Sequence, residues 1–199
     1  MLGGVVRGKT ITLRTTAEAD LADHIRWHGE WEATKWLPRR PWPESLEQRR
    51  EWLKQTSKDR ALMHWEVEAD GTHLGYADVR LIWPPRVEGW AVEALFLAPE
   101  ARGRGLGADA AGALHRYLVD YVGLDFGDVR LYRDDAAGRR LFESLGYAEY
   151  AHGRDALYRG GRYWADWRGM LRAEEFRRRF PDELEYPSGP PGAAPRAGV

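Results

Sequence analysis

Polar and apolar residues alternate from Lys9 to Arg14, with β-branched Thr10, Ile11 and Thr12, which predicts a first strand. Thr16 then reads as the N-cap of a helix over 17–28, carrying Leu21, Ile25 and Trp27 or His28 inward at helical spacing. Ser45 with Gln48 three residues on resembles a capping box, opening a second helix to about Thr56 with Leu46, Trp52 and Leu53 apolar. Runs over 62–69 and 72–83 flank Asp70-Gly71, a two-residue hairpin signal, and 89–97 reads as the next strand. A helical pattern follows over about 108–122, with Ala110, Ala111, Leu114, Tyr117, Leu118 and Tyr121 on one face. A short strand is expected over 129–132. Asp134 or Asp135 then caps a helix holding Leu141, Phe142 and Leu145, which Gly146 stops. Two closing strands are expected over 147–152 and 156–171, the second interrupted near Gly160-Gly161. The order β-α-α-β-β-β-α-β-α-β-β predicts one mixed α/β (α+β) layer domain.

Composition narrows the class. The chain has 199 residues, 43% of them hydrophobic and 31% charged, with a net charge of −1. That suits one soluble domain with a sizeable core, and the absent basic excess weighs against a general nucleic-acid binder. Lacking cysteine, it has no thiol nucleophile, disulfide or thiolate metal site. No apolar run approaches the roughly 20 residues that span a bilayer, and the N-terminus lacks a signal-peptide core, so a cytoplasmic location is expected. The domain is expected over 1–179, with a Pro- and Gly-rich tail over 180–199 read as disordered. Six histidines show no metal-ligand spacing; His24 and His28 lie i,i+4 but lack an adjacent acidic partner in sequence. The run from Arg172 to Arg179 reads as a solvated face. Ten tryptophans are unusual for this length, and Trp31, Trp36 and Trp42, in a proline-broken stretch, are candidate walls of a substrate pocket.

The stretch from Ala98 to Asp109, APEARGRGLGAD, carries the chemistry. It places three glycines and two arginines where a strand hands over to a helix N-terminus, where free N–H groups and the helix dipole favour a phosphate. A dinucleotide fingerprint would need G-x-G-x-x-G beside the first strand of a βαβ unit, and a Walker loop would need Gly-Lys-Ser/Thr. Neither is present.

Arg102-x-x-Gly105-x-Gly107 after a strand matches the pyrophosphate loop of the GNAT acetyltransferases. The helix ending at Gly146-Tyr147, the closing stretch from Gly153 to Glu175 and the N-terminal Ile11-Thr12-Leu13-Arg14 match further pieces, so the chain resembles that superfamily over about 8–175. Within it, the chain looks like the RimJ/RimL-like ribosomal-protein N-acetyltransferases. The resemblance implies a central mixed, mostly antiparallel sheet flanked by helices, acetyl-CoA as donor, a primary amine as acceptor (a protein N-terminal α-amine or a small molecule), and a homodimer. It implies cofactor contacts from Leu95, Phe96, Leu97, Arg102, Gly103, Arg104, Gly105, Leu106, Gly107, Ala108, Asp135 and Phe142.

Acetyl transfer needs a neutral amine, a polarised thioester carbonyl and a proton for the leaving thiolate. Glu93 alternates in phase with Ala91, Leu95 and Leu97, so it is the candidate base, activated by burial among apolar neighbours. Phe142 stands where the family often has a tyrosine that protonates the thiolate, leaving Tyr147 as a candidate acid. Asp135 replaces the family's usual Asn. These departures also fit an alternative: a catalytically silent CoA-binding module of the same fold.

Overall fold

The computed structural model describes residues 5–37, 43–82 and 89–181. An eight-stranded sheet runs through it in the order β1-β2-β3-β4-β5-β6-β10-β7. Its strands are β1 (Val6–Arg7), β2 (Thr12–Arg14), β3 (Leu62–Ala69), β4 (Thr72–Ile82), β5 (Gly89–Leu97), β6 (Phe126–Tyr132), β7 (Ala148–Ala151) and β10 (Asp166–Arg172). Every pairing is antiparallel except β5 with β6. The strands β8 (Leu157–Arg159) and β9 (Arg162–Trp164) form a separate hairpin. The helices are α1 (Asp20–His28), α2 (Trp31–Thr34), α3 (Leu46–Thr56), α4 (Leu106–Arg116), α5 (Ala136–Leu145) and α6 (Ala173–Arg179).

The local signals hold where turn or cap chemistry is specific. Asp70 and Gly71 both take positive φ, +50° and +72°, as a tight hairpin between β3 and β4 requires. The Ser45–Gln48 capping box is complete, Asp135 caps α5 by accepting from Gly138 N at 3.0 Å, and Gly146 closes α5 at φ +107°.

Other expectations are corrected. Thr16 is not an N-cap: α1 starts at Asp20, and the Thr16 hydroxyl instead donates to Glu66 at 2.6 Å. The first strand is shorter than expected because the amides of Lys9, Thr10 and Ile11 donate to the Asp109 carboxylate. Gly8 is needed there, since a Cβ would lie 2.5 Å from Asp109 Oδ1. The helix expected to reach residue 122 is α4 followed by a π turn over 117–121, which leaves Tyr121 69% exposed. In α3, Leu46 is exposed and Arg49 is the fully buried residue. In the run from Arg172 to Arg179, Arg172 ends β10 and Ala173–Arg179 is helical, with Phe176 buried on its inner side.

The central strands are covered on both faces. On β3, Trp65 packs against Tyr117 beyond α4, while His64 and Glu66 point the other way, toward His24 of α1. Period-two alternation sends every second residue to each layer. The helices α4, α5 and α6 meet around His115, whose ring contacts Phe142, Tyr147 and Phe176.

Candidate active site

Strands β5 and β6 pair only from Gly89–Val92 against Phe126–Val129. Beyond Val92 they separate, opening a cavity of about 480 Å³. One wall is the second half of β5, including Glu93, Leu95, Phe96 and Leu97. The facing wall comes from β6 and α5, including Asp135 and Phe142; Arg102, Gly103, Gly107 and Trp36 also line it. Sequence positions 40 residues apart therefore meet at one cleft.

From the glycine stretch, Gly103 and Gly107 line the cleft. Gly103 and Gly105 hold φ of +76° and +79°, and Gly105 is the left-handed N-cap of α4. Among the described residues, the five consecutive amides from Gly103 to Gly107 have no hydrogen-bond partner. Such a row of N–H groups at a helix start fits a pyrophosphate. Leu106 is buried beneath this turn and Arg104 is exposed. Gly105 and Ala108 face a second cavity of about 350 Å³ on the outer flank of α4, toward Lys9, Arg116 and Phe180.

Arg102 is directed elsewhere. Its Nε donates to Leu97 O at 2.9 Å, and its terminal nitrogens reach Ala33 O at 3.0 Å and Glu32 O at 3.4 Å. Trp31 is half exposed near Arg159, while Trp36 meets Tyr132 and Trp164 in an aromatic trio at the cleft edge. Trp42 lies outside the described residues.

The two catalytic candidates depart from their expected settings. Glu93 lines the cleft but is not buried among apolar residues. It is the extra residue of a bulge, because Asp78 pairs Ala94 and Val79 pairs Val92. The bulge turns its carboxylate outward onto Arg80 Nε at 2.6 Å, with the Glu93 side chain 42% exposed. Tyr147 is buried and absent from the cleft lining. Its hydroxyl donates to His115 Nε2 at 2.8 Å, because His115 Nδ1 donates to Ala111 O. Burial pushes the Tyr147 hydroxyl well above the usual phenol range and His115 down to about 4. That setting is a poor one for an acid serving the cleft, which Tyr147 does not line. Asp135 does reach the cleft; burial raises its pKa against the opposing bond from Gly138 and the charge of Arg102.

Sequence spacing missed one ionisable cluster entirely. Glu66, with no exposed surface, accepts from Thr16 Oγ1 and His64 on one oxygen, and from His24 and His73 on the other. Its four lone-pair sites are thereby filled. His24, Glu66 and His73 bring ligand atoms within 4.8 Å of one another, close enough for a metal. Arg49 bears on that reading, since its guanidinium donates to His24 Nδ1. That leaves the hydrogen on Nε2, the atom a metal would need bare. Burial lowers His64, but bonds to Asp78 and Glu66 on its two nitrogens outweigh this and raise it to about 9. Burial likewise opposes His73, whose bond to Glu66 raises it, whereas for His24 burial wins and lowers it. Three histidines hold Glu66 well below the usual carboxylate range despite its burial. No periodicity links positions 24, 64, 66 and 73; only the sheet brings them together.

A parallel strand pair that splays beside a glycine-rich helix start gives a cleft edged by free backbone amides. The chain belongs to the GNAT acetyltransferase family: the family's model, described as an acetyltransferase (GNAT) domain, matches residues 10–148. It is an acetyl-CoA-dependent N-acetyltransferase. Among similar solved structures is spermidine N-acetyltransferase from Vibrio cholerae with CoA and spermine. It shows 18% identity and a TM-score of 0.75, over 84% of this chain and 98% of that one. Mycobacterium smegmatis RimJ with CoA-disulfide shows 15% identity and a TM-score of 0.76, over 86% and 87%. A GNAT acetyltransferase from Bacillus anthracis shows 13% and 0.71, over 86% and 100%. These likenesses carry the fold. No curated protein matches the chain. Among the described residues no helix is long and apolar enough to cross a membrane.

Proposed function

We propose that the chain acetylates the α-amino group of a peptide or protein N-terminus, or a small monoamine of similar basicity, by direct attack on the thioester. The observation that carries this is the charge of the cleft. Its described lining carries Lys35, Arg102 and Arg130 against two carboxylates, and both carboxylates are engaged, Glu93 by Arg80 and Asp135 by the amide of Gly138, while Lys35 and Arg130 pair with Glu32 and Asp166. A polycationic amine gains little there. An α-amine, with an ordinary pKa near 8, is roughly one-tenth neutral at pH 7, whereas an alkyl amine near 10.4 is well under one-thousandth neutral. The Arg102 guanidinium, which bonds carbonyls and has no ion pair among the described residues, lowers a bound amine's pKa further, so a strong base is not required. The RimJ/RimL-like resemblance points the same way.

Bound acetyl-CoA supplies the activated acetyl thioester. The amides from Gly103 to Gly107 would hold its pyrophosphate, and the backbone of β5 freed from β6 would offer N–H groups to its arm and to the thioester carbonyl. The amine's lone pair forms the new amide bond as the C–S bond breaks. Water carries the amine proton out of the cleft, because the Glu93 carboxylate is turned outward onto Arg80. Phe142 has no hydroxyl and that of Tyr147 is committed to His115, so water protonates the departing thiolate. Without cysteine, the chain has no thiol to carry an acyl-enzyme.

CoA release from acetyl-CoA tests the proposal against peptides with free N-termini, the same peptides blocked, and spermidine. Turnover on free peptides, with kcat/KM at least about tenfold above spermidine, is expected, that ratio being one tenfold step in discrimination. Preference for spermidine would overturn the acceptor. Saturable CoA binding without turnover on any amine would make the chain a donor-binding module.

A further inference from the structure

The segment from Trp31 to Leu37, containing α2, supplies Ala33, Lys35, Trp36 and Leu37 to the cleft. A four-residue helix cannot satisfy its own C-terminal carbonyls. Two arginines from distant parts of the chain do so. Arg102, the residue before Gly103, takes the carbonyls of Glu32 and Ala33. Arg159, on β8 and only 9% exposed, brings Nη1 within 2.8–2.9 Å of the carbonyls of Thr34, Lys35 and Leu37. Five of the segment's seven carbonyls therefore end on two guanidinium groups. Arg159 is itself held between rings, 5.7 Å from those of Trp31 and Tyr132, and its own carbonyl accepts from Trp164 Nε1 at 2.9 Å.

We propose that Arg102 and Arg159 are positioning residues that clamp the 31–37 wall for the acceptor, and that the Arg102 side chain is not the pyrophosphate ligand. The wall is pinned on one side to the first residue of the phosphate loop and on the other to the β8–β9 hairpin. Arg102 spends three of its five donors on Leu97, Glu32 and Ala33, while the phosphate end is served by backbone amides that need no side chain. The planar fork of arginine suits adjacent carbonyls in a way an ammonium does not. The acceptor part of this inference rests on the amine acetylation proposed above; the clamp itself does not.

Hydrogen exchange of peptides covering 31–37, with CoA as the probe, separates the two. Arg102→Ala is expected to raise exchange across 31–37 about tenfold relative to the Leu62–Ala69 strand, while CoA affinity stays within about threefold of wild type. Arg159→Lys keeps the buried charge and so guards against a folding defect; it should raise the same exchange and leave CoA affinity alone. With a working amine, both variants should raise its KM about tenfold and change kcat less than about threefold, a split that general destabilisation does not produce. A tenfold loss of CoA affinity in Arg102→Ala with unchanged exchange would make Arg102 a phosphate ligand and overturn the proposal. Unchanged exchange in Arg159→Lys would overturn the clamp, whichever amine is accepted. If exchange rises as expected but no amine reacts, the acceptor reading fails and the clamp stands.

Discussion

Raising the pH from 6.5 to 9.5 should cost this fold several kcal/mol, and Glu66→Gln should flatten that loss. His64 is fully buried between Asp78 and Glu66, and its pKa is raised from 6.5 to about 9. Its native form keeps a proton that the unfolded chain releases above pH 6.5. The associated stability is complete below 6.5 and lost as the pH rises through about 9. At 1.36 kcal/mol per unit this is about 3 kcal/mol from His64, and His73 adds to it with the same sign. Removing the charge of Glu66 strands the histidines, which costs about 3–5 kcal/mol for a broken buried ion pair. That cost should shrink toward pH 9.5, where they are neutral. Urea unfolding across a pH series, followed by tryptophan fluorescence, reads both effects. His64→Gln should flatten the same alkaline limb and serves if Glu66→Gln does not fold. Stability that is flat from 6.5 to 9.5 in wild type, or curves for wild type and variant that fall in parallel, would refute the charge assignment.

Below pH 6.5 the sign reverses: burial lowers His24 and brings His115 down to about 4, so the unfolded chain takes protons the native state refuses, and stability should peak near pH 6.5. Gly105→Ala places a side chain at φ +79° with open space around it. The free turn should relax rather than hold about 1 kcal/mol of strain, so CoA binding, which must restore the turn, weakens about fivefold by calorimetry with little change in the urea midpoint. Asp135→Asn keeps the α5 cap but removes a buried charge, so its stability gain over wild type should be absent near pH 3.8 and grow toward neutrality, as paired urea titrations would show. Phe142→Tyr puts a hydroxyl on the cleft wall. If thiolate protonation limits turnover, kcat should rise roughly tenfold at unchanged amine KM in steady-state assays, and an unchanged kcat would place the limit elsewhere.

What was legible in the chain was local. The strand–glycine–helix passage from Val92 to Asp109 carries its own turn chemistry: Gly105 must take positive φ, and the helix after it leaves its first amides free. Asp135, Gly146, Ser45–Gln48 and Asp70-Gly71 likewise act on residues within a few positions. The burial expected for Glu93 fails because strict alternation assumes an unbroken ladder, and the bulge opposite Asp78 and Val79 shifts it toward Arg80. The setting of Tyr147 is not legible locally because it depends on His115, brought in by the packing of α4 against α5.

The sequence by itself therefore determined most of the elements, the glycine-rich turn and the family, since each depends on short-range backbone geometry and hydrogen bonding. Only the tertiary structure decided which side chains share a site. It drew Glu66 and three histidines into one closed network and turned Arg102 away from the phosphate turn toward the carbonyls of α2. Both outcomes follow from buried polar groups needing partners, and the partners available are set by which strands and helices the whole fold makes adjacent.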